Sequence, residues 1–427
     1  MFEERLVNEY FERIRNRKQR YIERELQIDI DTDKVISIIG PRRAGKTSLL
    51  LNWFFQDPDR SVYIDLESIE FSRVTPEEIL KIIALYEARY GGTIERVFLD
   101  EIQVLDRWHS LVRGLLNRGY RVIISGSSSK LLPKELSTSL RGRTLSYLLL
   151  PFSYKEFLRA KGVVIRDHLT LTEKEKMKQL LTEYLMYGGY PEVVFSKMKD
   201  KILKEYFETI FLKDFVERHA IKSINTARVI FEYLFQNYSK EVSIEKIHNF
   251  IKDQIGITTK TTIYSYMDKI SDTLSVFFVE RYSKSVYKRK RWPKKVYVCD
   301  VGVSSLLSFS EDLGKRMENT VFLELLRSQN EKPMREVYFW KDVNHREVDF
   351  VIKEKGKVIE LIQVTYASNR EGLDDREARA LIKASTQLEC DKLTVITWDY
   401  EGEEHIKGKV IRYVPLWRWL SSAKYLY

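Results

Sequence analysis

Residues 35–47 read VISIIGPRRAGKT. The run Val35-Ile36-Ser37-Ile38-Ile39 is short and β-branched, the composition of a strand buried on both faces. It leads directly into Gly40-Pro41-Arg42-Arg43-Ala44-Gly45-Lys46-Thr47, which has the spacing G-x-x-x-x-G-K-[ST]. A helical pattern follows over 46–56. Strand, glycine loop and helix in that order form a phosphate cradle. Glycines let successive backbone N–H groups turn toward an anion, and the helix N-terminus adds partial positive charge. In such a cradle Lys46 reaches the outer phosphates and the Thr47 hydroxyl ligates Mg²⁺. Gly40, Pro41, Arg42, Arg43, Ala44, Gly45 and Ser48 complete the lining. Arg42 and Arg43 either touch phosphate or point outward.

Working outward, further strand-like runs are SVYIDL (61–66), RVFLD (96–100), RVIISG (121–126) and TLSYLLL (144–150). Helical patterns at 76–89, 107–118 and 129–140 separate them. Strand alternating with helix predicts a parallel sheet covered on both faces. Residues 34–150 therefore read as one α/β domain, preceded by a charged helical segment over 1–33. The third run ends in Asp100-Glu101. Asp100 is placed to hold Mg²⁺ through water, and Glu101 to orient and deprotonate an attacking water; the alternative is a pair of solvated carboxylates. The next strand ends in Ser125-Gly126-Ser127-Ser128-Ser129, a run that resembles the sensor position of AAA+ ATPases, which implies that Ser127 or Ser128 contacts the γ-phosphate or the attacking water; the alternative is a Ser-rich helix cap. Leu140-Arg141-Gly142-Arg143 precedes the fifth strand. Arg143 is either an arginine finger, on its own or a neighbouring subunit's ATP, or a solvated loop residue.

The buried run SVYIDL between the glycine loop and the acidic strand, with Glu beside Asp, resembles the additional-strand, catalytic-Glu division of P-loop NTPases. Asn-Lys-x-Asp, which reads guanine, is absent, so ATP is the expected nucleotide. GPRRAGKTSLL, VFLDEIQ, ISGSSS, LRGR and LPFSYKEF together resemble a prokaryotic branch of AAA+ ATPases fused to a C-terminal domain of unknown function. YLMYGGYPEVV (184–194), TIFLKDFVERHAI (209–221), KKVYVCDVGV (294–303) and ENTVFLEL (318–325) extend the resemblance over most of the chain. It implies ATP and Mg²⁺ as cofactors, ATP hydrolysis that drives conformational change, and a DNA-related or regulatory role.

Beyond 150 the pattern becomes helical through 151–235, with a break at Gly188-Gly189-Tyr190-Pro191. Residues 236–300 offer two helices over 243–272, the length of a helix-turn-helix. The strand-like runs 275–282 and 295–300 then bracket a basic loop, as in a winged helix. Residues 301–427 resume α/β patterning: a helix at 317–328 and strands at 335–340, 346–352, 357–364 and 393–397. Glu318, Asp349 and Glu360 with Gln363 resemble a restriction-endonuclease-like PD-(D/E)XK domain. Its E-x-K is replaced by Gln363-Val364-Thr365, which puts nuclease chemistry in doubt and makes the domain a degenerate one.

Charge points the same way. The 427 residues carry 72 Lys and Arg against 62 Asp and Glu, a net charge of +10. Residues 284–295 hold seven basic and no acidic residues: Lys284, Lys288, Arg289, Lys290, Arg291, Lys294 and Lys295, interleaved with Tyr287 and Trp292. Residues 13–20 hold five more, so these two segments carry +12 and the other 407 residues sum to −2. The first patch either contacts DNA phosphates, with aromatics to stack, or is a solvated basic loop or an interdomain contact. No run of about 18 apolar residues predicts a membrane span. Two cysteines exclude a disulfide framework, and the charged N-terminus has no apolar signal core. The expectation is a cytoplasmic ATPase that binds ATP and ADP, with DNA and a second copy of itself as compatible partners. The competing readings are a nucleotide-gated switch with little turnover and an ATP-dependent nuclease.

Overall fold

The computed structural model describes residues 3–17, 20–128, 140, 142–166, 168–256, 259–307 and 312–422. The chain divides into two compact units, residues 1–150 and 151–427.

The first unit is a five-stranded parallel sheet of β1 (Val35–Ile39), β2 (Ser61–Asp65), β3 (Arg96–Asp100), β4 (Arg121–Gly126) and β5 (Thr144–Leu148) in the order β2-β3-β4-β1-β5. β4 is thus inserted between the strand that feeds the glycine loop and the strand that ends in Asp100. Every residue of β1 is buried, as expected of a strand covered on both sides. The connecting helices are α2 (Lys46–Phe54), α3 (Pro76–Tyr90) and α4 (Trp108–Asn117). The Thr75 hydroxyl and Glu78 carboxylate form a reciprocal capping box, with Pro76 opening α3. The helical pattern expected over 129–140 lies almost wholly outside the described residues, as do Ser129 and Arg141.

The N-terminal helix is α1 (Glu4–Arg15), and among the described residues no further regular element lies before β1. Its apolar face buries Val7, Tyr10, Phe11 and Ile14. The Tyr10 hydroxyl accepts from the Asp65 N–H at 2.8 Å, at the end of β2. Its basic residues are already engaged within the unit. Arg13 pairs with Glu70 at 2.9 Å, and Arg15 with Asp59 at 2.6 Å and the Tyr86 hydroxyl at 2.8 Å. Two of the five basic residues of the N-terminal segment, Arg13 and Arg15, are thus engaged in ion pairs within the unit.

The second unit opens with helices α5 (Tyr154–Ala160), α6 (Leu171–Tyr187), α7 (Pro191–Phe195) and α8 (Lys199–Thr209). A π-helix, Ile210–Glu217, continues α8, and α9 (Ile224–Gln236) follows. Then come β6 (Lys240–Val242), α10 (Ile244–Ile255), α11 (Lys260–Asp272), β7 (Val276–Val279), α12 (Val286–Arg291) and β8 (Lys294–Val298). The three strands form an antiparallel sheet in the order β6-β8-β7. The stretch expected to be an open loop, 284–295, instead holds the short helix α12 and the first two residues of β8.

After α13 (Val301–Ser305) and α14 (Leu313–Ser328), a six-stranded mixed sheet closes the chain. Its strands are β9 (Arg335–Lys341), β10 (Glu347–Glu354), β11 (Lys357–Val364), β12 (Leu393–Thr397), β13 (Gly402–Ile406) and β14 (Lys409–Pro415), ordered β13-β14-β12-β11-β10-β9. β11 and β12 are parallel, joined through α15 (Asp375–Leu388), and α16 (Leu416–Ser421) follows β14.

The glycine break has a steric cause. Gly188 is in the left-handed region at φ 74°, and a Cβ there would lie 1.8 Å from Asp300 Oδ1. A Cβ on Gly189 would meet the Phe152 carbonyl at 2.2 Å, and one on Gly302 the Tyr187 carbonyl at 2.2 Å. The buried Asp300 carboxylate accepts the Gly189 and Gly302 N–H groups at 2.7 and 2.9 Å. YGGYP and CDVGV are thus two halves of one close-packed knot.

Candidate functional site

The phosphate cradle is built at the C-terminal end of β1. Gly40 is required there, because a Cβ would lie 2.0 Å from the Leu149 carbonyl oxygen. Gly45 takes φ 101° and Arg43 φ 67°, turning the loop in the left-handed region. Arg24, from the segment before β1, is buried and donates to the Ala44 carbonyl at 3.0 Å, tying down the loop from outside.

Lys46 is 3% exposed. Its Nζ donates to the Gly40 and Pro41 carbonyls at 3.1 and 3.2 Å and lies 3.4 Å from Glu101 Oε1. The ammonium sits inside the cradle, with the loop's own oxygens and one carboxylate around it. Thr47 donates to Asp100, so the hydroxyl and carboxylate expected to hold Mg²⁺ are in contact. Arg42 pairs with Glu67, with Nη2 3.2 Å from Oε1. Pro41, Ala44 and Ser48 lie in the loop and the first turn of α2, as the motif requires.

Asp100 is buried and accepts hydrogen bonds from Tyr63 Oη at 2.7 Å and from Ser125 Oγ. Burial, and then the neighbouring Glu101 charge, push its carboxyl upward. Burial also pushes Glu101 upward, but Lys46, Gln103 and Arg42 outweigh it and hold that carboxylate below its ordinary range. Glu101 is in the left-handed region at φ 50°, with its N–H on Ser125 Oγ at 3.1 Å. A non-glycine residue there is strained, and its surroundings hold it in place. Ser127 and Ser128 are buried at the end of β4, and Ser127 Oγ lies 3.5 Å from Gln103 Nε2.

The structure thus brings together Lys46, Thr47, Asp100, Glu101 and Ser127. It separates Arg143 from them. In the parallel pairing of β1 and β5, Val35 lies beside Thr144 and Ile39 beside Leu148. Arg143 is therefore exposed at the start of β5, at the end of the sheet opposite the glycine loop. The expectation that it serves phosphates held by its own loop is corrected by the length of the intervening strand, about 13 Å over four residues.

Two site residues were missed in the sequence. Asp65 pairs in register with Asp100; burial and then Asp100 push its carboxyl up to about 6. Gln103 follows Glu101 in the 3₁₀ turn Ile102–Val104 and donates to Glu101 Oε2 at 2.6 Å. The parallel register could have signalled Asp65, since strands of equal length end together; Gln103 closes the VFLDEIQ segment that carries the resemblance, but its residue type gave it no role there.

A second charged cluster lies in the other unit. Lys295 is buried at 2% exposure, with Nζ 2.7 Å from Glu347, 2.8 Å from Asp349 and 3.0 Å from Glu318. Tyr297 Oη donates to Glu318 at 2.7 Å. Pairing of β10 with β9 shifts register between Val348 and Val351, and this irregularity presents Asp349 to the ammonium. Burial and then Asp349 push Glu318 up to about 8. The assignment of Lys295 to a nucleic-acid surface is therefore wrong. Alternation along β8 points Lys295 and Tyr297 inward together. Its neighbours are only partly free: Lys290 lies 3.1 Å and Arg289 3.5 Å from Glu280, with Lys294 at 3.8 Å. Lys284, Lys288 and Arg291 are exposed. Gln363 accepts the Asp349 N–H at 3.3 Å, whereas Glu360 bonds Thr394 and Lys392 on the other face of β11. Among the described residues, no group of three or more His, Cys, Asp or Glu is placed to hold a metal ion, and no helix is long and apolar enough to cross a membrane.

Residues 32–158 match the family described as AAA domain. Residues 178–313 and 313–419 match two families described as domains of unknown function, DUF8612 and DUF4143. The Methanocaldococcus jannaschii protein "Uncharacterized protein MJ1544" is 36% identical over 419 residues, covering 94% of this chain and 92% of its own. An uncharacterized Haemophilus influenzae protein is 26% identical over 413 residues, covering 94% and 98%. AMPPCP-bound DnaA from Aquifex aeolicus aligns over 62% of this chain and 87% of its own at 15% identity. Its TM-score of 0.24 is too low to equate the two folds over that length.

Proposed function

The chain belongs to the family of the Methanocaldococcus jannaschii protein MJ1544 and carries an ATP-binding AAA domain, and from that premise we propose that it hydrolyses ATP to drive a change of conformation on DNA. The observation that carries the hydrolytic half is the convergence of Lys46, Asp100 and Glu101. A buried ammonium at the phosphate cradle lies 3.4 Å from a carboxylate held ionised, and the adjacent Asp100 contacts Thr47.

The cradle suits a polyphosphate, since Arg43 and Gly45 turn the loop in the left-handed region around the buried Lys46 ammonium. Thr47 and Asp100 supply the oxygen donors that Mg²⁺ prefers. Bound there, the ion would offset charge on the phosphate oxygens. The chain's own part is positional. The loop N–H groups and Lys46 bind the outer phosphates, Ser127 faces them from β4, and Glu101 accepts a proton from the attacking water. Phosphate arriving at Lys46 competes with Glu101 for the ammonium and frees that carboxylate to act as base.

DNA is supported by the second unit. The order α9-β6-α10-α11-β7-β8, with β8 between β6 and β7, supports reading this part as a winged helix. Exposed Lys284, Lys288 and Arg291 with Tyr287 cluster on and beside α12, between the last two strands. Such a patch contacts phosphates and stacks bases without reading sequence. Nuclease action is disfavoured by the Lys295 ammonium at the centre of the Glu318, Glu347 and Asp349 carboxylates. The experiment is calorimetric titration with ATP of the full chain and of Lys46→Ala. The proposal requires binding by the first and its loss in the second. A second reading, a nucleotide-gated switch, is favoured if ATP binds but phosphate release is unmeasurable with and without DNA.

A further inference from the structure

Gln103 has an uneven set of partners. One end of its carboxamide faces Glu101 Oε2 at 2.6 Å. A carboxylate oxygen only accepts, so the amide nitrogen must be the group that faces it. That fixes the other end as the carbonyl oxygen, Oε1. This oxygen is buried and has no hydrogen-bond partner. A buried acceptor without a donor costs stability, and here it lies beside the general base, with Ser127 Oγ 3.5 Å from the same amide nitrogen. The side chain thus connects Glu101 at the end of β3 to Ser127 at the end of β4 and leaves one acceptor open.

We propose that Gln103 is a second water-holding residue of the hydrolytic site, its Oε1 accepting one hydrogen of the water whose other proton goes to Glu101. The inference rests on the reading of Glu101 as the base. A water has two hydrogens, and a single carboxylate fixes one of them; rotation about that bond leaves the attacking lone pair unaimed. Two acceptors joined through a 2.6 Å hydrogen bond fix both hydrogens and so aim the lone pair at the phosphorus. As the water oxygen bonds the terminal phosphorus, its proton passes to Glu101 and the bond to the bridging oxygen breaks, giving ADP and orthophosphate. Gln103 gains and loses nothing covalently.

The test uses the full chain, Gln103→Leu, which keeps the bulk and removes both amide ends, and Gln103→Glu, which keeps an acceptor but sets a second carboxylate against Glu101. Binding of ADP with beryllium fluoride, which mimics bound ATP, is compared with binding of ADP with aluminium fluoride, which mimics the transferring phosphoryl group with its water in line. Both variants are expected to bind the beryllium complex as the wild type does. They are expected to lose about tenfold or more on the aluminium complex and about 10²-fold in single-turnover hydrolysis. A residue with a merely structural role would weaken both complexes alike, and that result overturns the proposal. If the wild type hydrolyses ATP and Gln103→Leu retains both its rate and its preference for the aluminium complex, the proposal falls and the hydrolytic reading stands. If the wild type itself shows neither turnover nor that preference, both fall together.

Discussion

Lys295 Nζ lies 2.8 Å from Asp349 Oδ1, with the lysine 2% and the aspartate 5% exposed. The pair joins β8 of the three-stranded sheet to β10 of the six-stranded sheet, and Glu318 and Glu347 complete the shell. Burial alone would push the lysine down, but Asp349, Glu318 and Glu347 outweigh it and hold the ammonium charged. Removing one member strands charge that is already out of water. Lys295→Met is expected to destabilise the chain by about 3–5 kcal/mol, read as a fall in the urea midpoint. Adding Asp349→Asn to that variant should recover part of the loss.

The glycine knot predicts a steric penalty of a different kind. Gly302→Ala would place a methyl group 2.2 Å from the Tyr187 carbonyl oxygen. Gly188→Ala adds backbone strain at φ 74° to a clash with Asp300. Each is expected to cost about 3 kcal/mol or more and to lower soluble yield. Gly256→Ala has open space around the new Cβ and meets only its left-handed backbone at φ 92°, so it should cost about 1 kcal/mol.

Glu377 supplies a pH dependence. Burial first, then Asp349, push its carboxyl up to about 7 from its ordinary 4.5. Between those values the folded chain holds a proton that the unfolded chain has released. This group's contribution therefore falls as pH rises from about 4.5 to about 7 and is flat above. Glu377→Gln removes that slope. Relative to the wild type, the variant should gain on the order of 1–2 kcal/mol between pH 5 and pH 8 in chemical denaturation. An unchanged difference across that window would place the carboxylate in a more solvated setting.

Much of the first unit is legible in the sequence because its decisive features are local. Val35–Ile39 is uniformly buried and reads as an unbroken apolar run, while Gly40, Gly45, Lys46 and Thr47 keep the spacing a phosphate demands. Asp100 and Glu101 are visible as carboxylates at the end of an apolar strand. The residues that escaped are long-range. Lys295 is basic within a basic segment, and only the pairing of β8 and the bulge in β10 show that its charge is spent on three carboxylates up to 54 residues away. Arg143 could be read either as a finger or as a solvated loop residue, because its place in sequence was known and its end of the sheet was not. β13 and β14 form an edge hairpin with much of its surface facing solvent, Gly402 beside Tyr413 and Ile406 beside Lys409. GEEHI carries too few apolar residues to announce a strand.

The basic surface that survives this correction is small. Lys284 and Lys288 are exposed near Tyr287 on α12. Replacing Lys284, Lys288 and Arg291 together by Ala should weaken duplex binding uniformly across sequences. It should also reduce the slope of log K against log salt by about 2–3. ATP affinity, measured without DNA, should not move. Equal salt slopes for wild type and variant would place DNA elsewhere or remove it as a partner.

The central claim is that Glu101 is the base of an ATP-hydrolysing site. The most direct measurement is phosphate release by Glu101→Gln beside its ATP affinity, in Mg²⁺ and with wild type in parallel. The account predicts ATP binding within a few-fold of wild type and a rate lower by about 10²–10⁴. Undiminished phosphate release with binding intact would contradict it.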